Sequence, residues 1–223
     1  MNNELLTDAL RIPGWLSKNE GKLLAHFAQK TNGVIVEVGS FQGKSTVFMA
    51  RVTKNPIYAI DPHYLNSYKK FLKNTKKYKN IIPIKKTSAA AAKNWRLPIS
   101  LLHIDGAHEY RLVKQDLKLW LRHLTPDGVV ICHDAFAPYP EVFKAVKEEI
   151  FDKPGWAYIG ALDSQIFAIC GKKKLNWQRP FIILASNIWH NKNLPENLRF
   201  FIVNRLLKIF FLNKFMVRAI LKL

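Results

Sequence analysis

"VEVGSFQGKST", residues 36–46, decides how the first half of the chain is read. It comes within one residue of the phosphate-binding P-loop pattern, G-x-x-x-x-G-K-[ST]. Gly39 and Gly43 are separated by only three residues, and Lys44 and Ser45 follow. A P-loop needs its full length to wrap a phosphate in backbone N–H groups, and Glu37 would set a like charge beside that phosphate. A dinucleotide fingerprint, G-x-G-x-x-G, fails as well, because Ser40 and Phe41 follow Gly39. What remains is a glycine turn closing an apolar, β-branched strand, with a carboxylate next to it.

Around that turn, short apolar runs alternate with amphipathic segments, the pattern of helices packed on a mainly parallel sheet. Strands are expected at 33–39, 56–61, 80–88, 100–106, 128–134, 157–162 and 164–171. Helices are expected at 20–31, 44–52, 64–79, 89–95, 113–124 and 140–151. The last two strands lie close enough for a hairpin, which makes the final one antiparallel. The turn "TPDG", 125–128, leads into the fifth strand. The predicted fold is α/β and Rossmann-like, a seven-stranded, mostly parallel sheet with its last strand antiparallel. Composition shifts after "GKKK", which divides the chain into a domain at 1–171 and an extension at 172–223.

In an open parallel sheet, ligands bind beyond the carboxyl ends of the strands, near the switch in strand order. The polar residues at those ends are Glu37, Asp61, Ser88, Asp105 and Asp134. Any one of them alone reads equally well as a turn or capping residue. Four carboxylates on five successive strand ends read as a site. Asp61 stands about 20 residues past the glycine turn, where a ribose-binding acid belongs. A ligand with a ribose, no phosphate and an ammonium fits these residues, and S-adenosylmethionine is such a ligand.

The segments "VIVEVGSFQGKST", "IYAIDPH" and "LLHIDGAHEYRLVKQDLKLWLRHLTPDGVVICHD" resemble the class I S-adenosylmethionine-dependent methyltransferases, over residues 30–170. Within them the chain is most similar to the branch that O-methylates sugars and macrolide glycosides. The resemblance implies that Gly39 and Gly43 let the backbone approach the methionine part of the cofactor, supported by Glu37. It implies that Asp61 accepts from the ribose hydroxyls and that Ser88 lies beside adenine. Ser40 and Ser45 bind through backbone or hydroxyl, or cap the helix after the loop, while Lys44 is a solvated first-turn residue. Related enzymes with a divalent ion take ligands from the ends of strands four and five, here Asp105 and Asp134, an oxygen set suited to magnesium. Their third ligand directly follows the fifth-strand acid, where this chain has Ala135.

His108, three residues past Asp105, is the candidate general base, since an unperturbed imidazole titrates near neutrality. With Asp105 it forms the expected catalytic pair. His133 is expected to support Asp134, and His103 to be a satisfied core residue.

Thirty-five Lys and Arg against 16 Asp and Glu give a net charge of +19. Residues 171–223 hold 11 of the basic residues and a single acid, Glu196. Such a field favours an anionic partner. In the segment 198–223, Ile202, Val203, Leu206, Ile209, Phe210, Val217, Ile220 and Leu221 fall on one helical face, with Arg205, Lys208, Lys214, Arg218 and Lys222 on much of the other. That pattern predicts a basic amphipathic C-terminal helix lying on an anionic membrane surface, with packing on the domain or on a partner subunit as the alternative. Lysines at 69, 70, 73, 76, 77, 79, 85 and 86 read as a solvated face. Cys132 and Cys170 sit in strands and read as inert thiols, consistent with a cytoplasmic enzyme, peripheral on the membrane's inner face.

The expected acceptor is a small molecule or glycan, and an oligomer is compatible with the chain. Nucleic acid is the poorer partner. Enzymes that N-methylate RNA bases end strand four with Asn/Asp-Pro-Pro-aromatic, where this chain has "DGAHEY". A non-enzymatic membrane-surface protein is a further alternative, and the run of strand-end acids argues against it.

Overall fold

The computed structural model describes residues 7–64, 66–136, 139–172, 178–199 and 201–203. Seven strands form one sheet: β1 (Val34–Val38), β2 (Ile57–Ile60), β3 (Ile81–Ile84), β4 (Ile99–Ile104), β5 (Leu124–Cys132), β6 (Trp156–Leu162) and β7 (Gln165–Cys170). Their order is β3-β2-β1-β4-β5-β7-β6. The first five run parallel, and β7 enters antiparallel between β5 and β6. The expected sheet and its reversed last strand are both present. The strand order reverses between β1 and β4, and in open parallel sheets ligands bind in the crevice beyond the carboxyl ends of the strands at such a switch point.

Among the described residues, helices cover the faces: α1 (Thr7–Leu10), α2 (Lys18–Lys30), α3 (Lys44–Ala50), α4 (Tyr68–Thr75), α5 (Ser88–Ala92), α6 (Tyr110–Leu121), α7 (Pro140–Val146) and α8 (Gln178–Trp189). Strands buried on both faces read as continuous apolar runs, as "VIVEV" does in β1. Alternate residues of each strand feed two separate cores. Ile35, Ile57, Leu101, Ile131 and Phe167 pack against α1, α2 and α3. Val36, Leu102, Ile104, Val130 and Ile166 pack against α5, α6, α7 and α8. In α6 the buried positions Val113, Asp116, Leu117 and Trp120 follow the helical repeat. Trp120 meets Trp95 edge-on at 5.3 Å, and Trp95 meets Tyr58 at 4.9 Å. Such aromatic pairs add about 0.5–1.5 kcal/mol each beyond area burial.

Three details depart from the sequence reading. The stretch "TPDG" is a bulge inside β5, where the register with β4 shifts and Asp127 takes φ 64°, instead of a turn before the strand. Helix α7 continues through a π-helical turn at Lys147–Phe151. The first part of the extension is built into the domain: Ile182 and Ala185 of α8, and Val203, lie in the core cluster of α5, α6 and α7. The rest of the expected amphipathic face, Leu206 onward, lies outside the described residues. Cys132 is buried and free, its thiol pushed up to about 12 by burial, and Cys170 is free and half-buried.

Candidate active site

The turn after β1 and the loop after β4 touch. Gly39 takes φ +90°, and a Cβ there would stand 2.0 Å from the Asp105 carbonyl oxygen. Its N–H donates to the Ile60 carbonyl at 2.8 Å, which ties the turn to the end of β2. Asp61 completes the tie: Oδ2 accepts the Phe41 N–H at 2.8 Å and Oδ1 accepts the His63 N–H at 2.6 Å. Phe41 and His63 both hold positive φ, so this carboxylate anchors two unusual backbone turns. Each oxygen keeps acceptor capacity beyond its one N–H. Trp15, 86% exposed, lies beside the Phe41 ring at the rim.

Other residues of the turn face inward. Glu37 is fully buried, takes the Thr46 hydroxyl on Oε2, and lies 3.3 Å from His103 Nδ1 through Oε1. Its carboxylate therefore holds α3 and β4 to β1 beneath the crevice. His103, expected as a satisfied core residue, is satisfied at Nδ1 only, since Nε2 has no partner among the described residues. Ser40 is buried with an unpartnered hydroxyl, and Ser45 is buried within α3. Neither caps that helix: Gly43 does so, without a side-chain bond. Lys44 is not simply solvated, because its ammonium donates to the Gly14 carbonyl at 2.8 Å and closes the N-terminal segment over the turn. Ser88 opens α5, and its hydroxyl accepts the Trp120 indole N–H at 2.8 Å and bonds the buried Asp116 carboxyl. Any contact of Ser88 with adenine would then use its backbone.

Beyond β4 and β5 the titratable groups converge. His108 Nε2 lies 3.2 Å from Asp134 Oδ2, and the His108 ring stacks on Tyr139 with centroids 3.9 Å apart and planes 5° apart. His133 Nδ1 lies 3.2 Å from Asp105 Oδ1 and 3.2 Å from Asp134 Oδ2, pointing between the two and aligned on neither. Its Nε2 lies 3.3 Å from Glu20 Oε2. Burial alone would lower the His133 pKa, but Asp105, Asp134 and Glu20 together push it up to about 12. This buried ring is an imidazolium set among three carboxylates.

Glu20 was not foreseen as part of the site. It forms a capping box with Ser17 at the start of α2, and its Oε1 accepts both the N–H and the hydroxyl of Ser164, at 3.0 and 2.6 Å. Burial would raise its pKa, yet bonds from His133, Ser164 and the Ser17 N–H hold it at about 2. The pattern Ser17-x-x-Glu20 was a legible capping signal. Nothing local pointed from it to His133.

Asp105, His108 and Asp134 bring one ligand atom each within 4.8 Å of one another, the one such group of three or more among the described residues. The expected magnesium set was oxygen-only, and here the third position is an imidazole nitrogen.

Residues 36–135 match the family model described as a methyltransferase domain. Among solved structures, the chain is similar to an O-methyltransferase from Bacillus cereus in complex with SAH, at 14% identity and TM-score 0.61, covering 77% of this chain and 92% of that one. It is similar to an SAH-bound methyltransferase from Podospora anserina, at 15% identity and TM-score 0.62, covering 78% and 89%. The O-methyltransferase NovP matches at 14% identity and TM-score 0.57, covering 78% and 89%. The matched residues run from β1 through the end of β5, so the methyltransferase-domain match takes in the glycine turn and the strand-end acids of the site.

Proposed function

We propose that this protein is a class I S-adenosylmethionine-dependent methyltransferase that transfers a methyl group to a hydroxyl of a sugar, glycan or hydroxylated small molecule. The observation that carries the O-methyl reading is the His108–Asp134 contact at the strand ends where Asp61 and the glycine turn also lie. The residues fit the donor: Ser40 keeps a buried hydroxyl with no protein partner beside the turn, and Asp61 keeps acceptor capacity for ribose hydroxyls. The O-methyltransferases among the similar structures support the same reaction class.

S-adenosylmethionine supplies an electrophilic methyl group on a sulfonium. Gly39 and Gly43 admit the backbone to it, and Asp61 orients its ribose. His108 takes the proton of the acceptor hydroxyl. Asp134 beside Nε2 stabilises the resulting imidazolium, and Tyr139 fixes the ring plane. That leaves Nδ1, the ring's other nitrogen, for the proton. His133 sets one positive charge between Asp105 and Asp134, which offsets part of the repulsion of two acids on one edge. Transfer of label from S-adenosylmethionine to a panel of sugar and phenolic acceptors tests the reading. Labelled base-modified RNA, with unlabelled small acceptors, would replace it.

A second reading has its own observation, the 4.8 Å grouping of Asp105, His108 and Asp134. A divalent ion held there would polarise the acceptor hydroxyl. One nitrogen in the set suits a transition metal better than magnesium, and His133 already brings a positive charge to both carboxylates. Turnover that stops in chelator and returns with a divalent ion selects this reading.

The C-terminal segment 199–223 is proposed as an anionic-membrane anchor. No helix among the described residues is long and apolar enough to cross a membrane. Truncation after residue 203, which spares the core contact of Val203, should weaken binding to anionic vesicles without weakening cofactor binding.

A further inference from the structure

The longest acid-free stretch of the domain lies on one edge of the sheet. Residues 62–104 hold nine lysines and Arg96, with no Asp or Glu at all. This stretch builds α4, the edge strand β3 and α5. On α4, Phe71 and Thr75 face the protein and are buried. At about 100° per residue, Lys69, Lys70, Lys73 and Lys76 occupy an arc of about 120° directly opposite them. All four are exposed. Lys85 and Lys86, exposed just past the end of β3, adjoin this face: Lys85 Nζ lies 5.3 Å from the centroid of the Tyr68 ring at the start of α4. Of the nine lysines only Lys77 has an ion-pair partner among the described residues, Asp8.

A lysine face is most often merely solvated, and two features set this one apart. An exposed apolar side chain, Leu72 on the flank of α4 at 41% exposure, lies among the cations. Tyr68 and Tyr78 are capped by ammonium groups, Lys85 and Lys77, which leaves a single open tyrosine ring on this stretch, Tyr64 at 79% exposure, for a base to stack on. A nucleic-acid surface favours exposed aromatic platforms and the bidentate reach of arginine. Point charges with an apolar side chain among them suit a bilayer of acidic lipids.

We propose that the α4–β3 edge is a docking surface for an anionic lipid bilayer. It is distinct from the C-terminal segment. Lys69, Lys70, Lys85 and Lys86 stand at the end of the sheet where β2 and β3 deliver their carboxyl termini, so docking sets the rim of the crevice against the lipid. That orientation, unlike the docking itself, rests on the methyl-transfer reading. It would deliver acceptors carried at the membrane surface.

The test compares two full-length variants that lose the same charge. One carries Lys69→Gln, Lys70→Gln, Lys73→Gln and Lys76→Gln. The other carries Lys18→Gln, Lys30→Gln, Lys54→Gln and Lys192→Gln, exposed positions on other surfaces. Sedimentation is measured with phosphatidylcholine vesicles, with and without phosphatidylglycerol. Each cation near an acidic surface is worth about fivefold in binding. The α4 variant should bind phosphatidylglycerol vesicles at least about tenfold more weakly than wild type, and the second variant should stay within about threefold. Equal losses in the two variants, or equal binding of wild type to neutral vesicles, overturns the proposal. Single-stranded RNA that binds wild type more tightly than vesicles, and is lost in the α4 variant alone, reassigns the face to nucleic acid.

Discussion

His108 and Asp134 come from loops that follow different strands, and Nε2 of the one lies 3.2 Å from Oδ2 of the other. The contact spans the gap between the ends of β4 and β5. Tyr139, which precedes α7, stacks on the same imidazole. A half-exposed ring is thus held from two sides, and it lies at the edge of the crevice instead of in the core. In the proposed reaction, this restraint would present the acceptor with a base that is already oriented.

His108→Asn should lower kcat about 10²- to 10⁴-fold, the usual contribution of a positioned base. S-adenosylhomocysteine affinity should stay near that of wild type, because no cofactor contact is removed. Steady-state kinetics with calorimetry separates the two effects. A variant with normal turnover dismisses His108 as the base.

The Glu20–His133 pair gives stability a pH signature. His133 has a folded pKa raised from 6.5 to about 12, so its contribution is complete below 6.5 and fades as pH climbs toward 12. Glu20 is lowered from 4.5 to about 2, so its contribution is complete above 4.5 and is lost as pH falls toward 2. Together they favour the window from 4.5 to 6.5. Each unit of pH above that window removes at most about 1.4 kcal/mol through His133. Denaturant melts should show wild type well above His133→Asn at pH 6, with the gap narrowing by pH 9. A gap that widens with pH refutes the imidazolium.

Gly39→Ala sets a methyl group against the Asp105 carbonyl at a positive φ. Backbone cannot step aside as a side-chain tip can, so the loss should reach about 3 kcal/mol. Cofactor binding should fall with it, since the same contact shapes the floor of the crevice. Chemical denaturation beside calorimetry checks both.

The strand-end acids and His108 were legible because each sits where an apolar run stops, and in parallel sheets those stops share one edge. The seven strands were legible for the same reason. Glu20 was hidden by distance: it reaches His133 across 113 residues and Ser164 across 144, and no local period encodes such a meeting. The signal it did carry, Ser17-x-x-Glu20, marks only the start of a helix. The bulge at 125–128 was hidden because Pro and Gly mark a turn and a bulge alike. Residues 178–189 were placed in the extension on a shift in composition, with no helix read there, and the helix they form, α8, packs Ile182 and Ala185 into the core.

The account rests on Asp61 as the ribose anchor of an S-adenosylmethionine site, and calorimetry with S-adenosylhomocysteine measures that directly. Wild type should bind, and Asp61→Ala should bind about ten- to a hundredfold more weakly, the worth of about 1.5–3 kcal/mol of hydrogen bonds to a charged group. Part of any loss would come from freeing the Phe41 and His63 turns, so a thermal melt of the unliganded variant accompanies the titration. Wild type that does not bind S-adenosylhomocysteine, or a folded Asp61→Ala that binds it unchanged, contradicts the assignment.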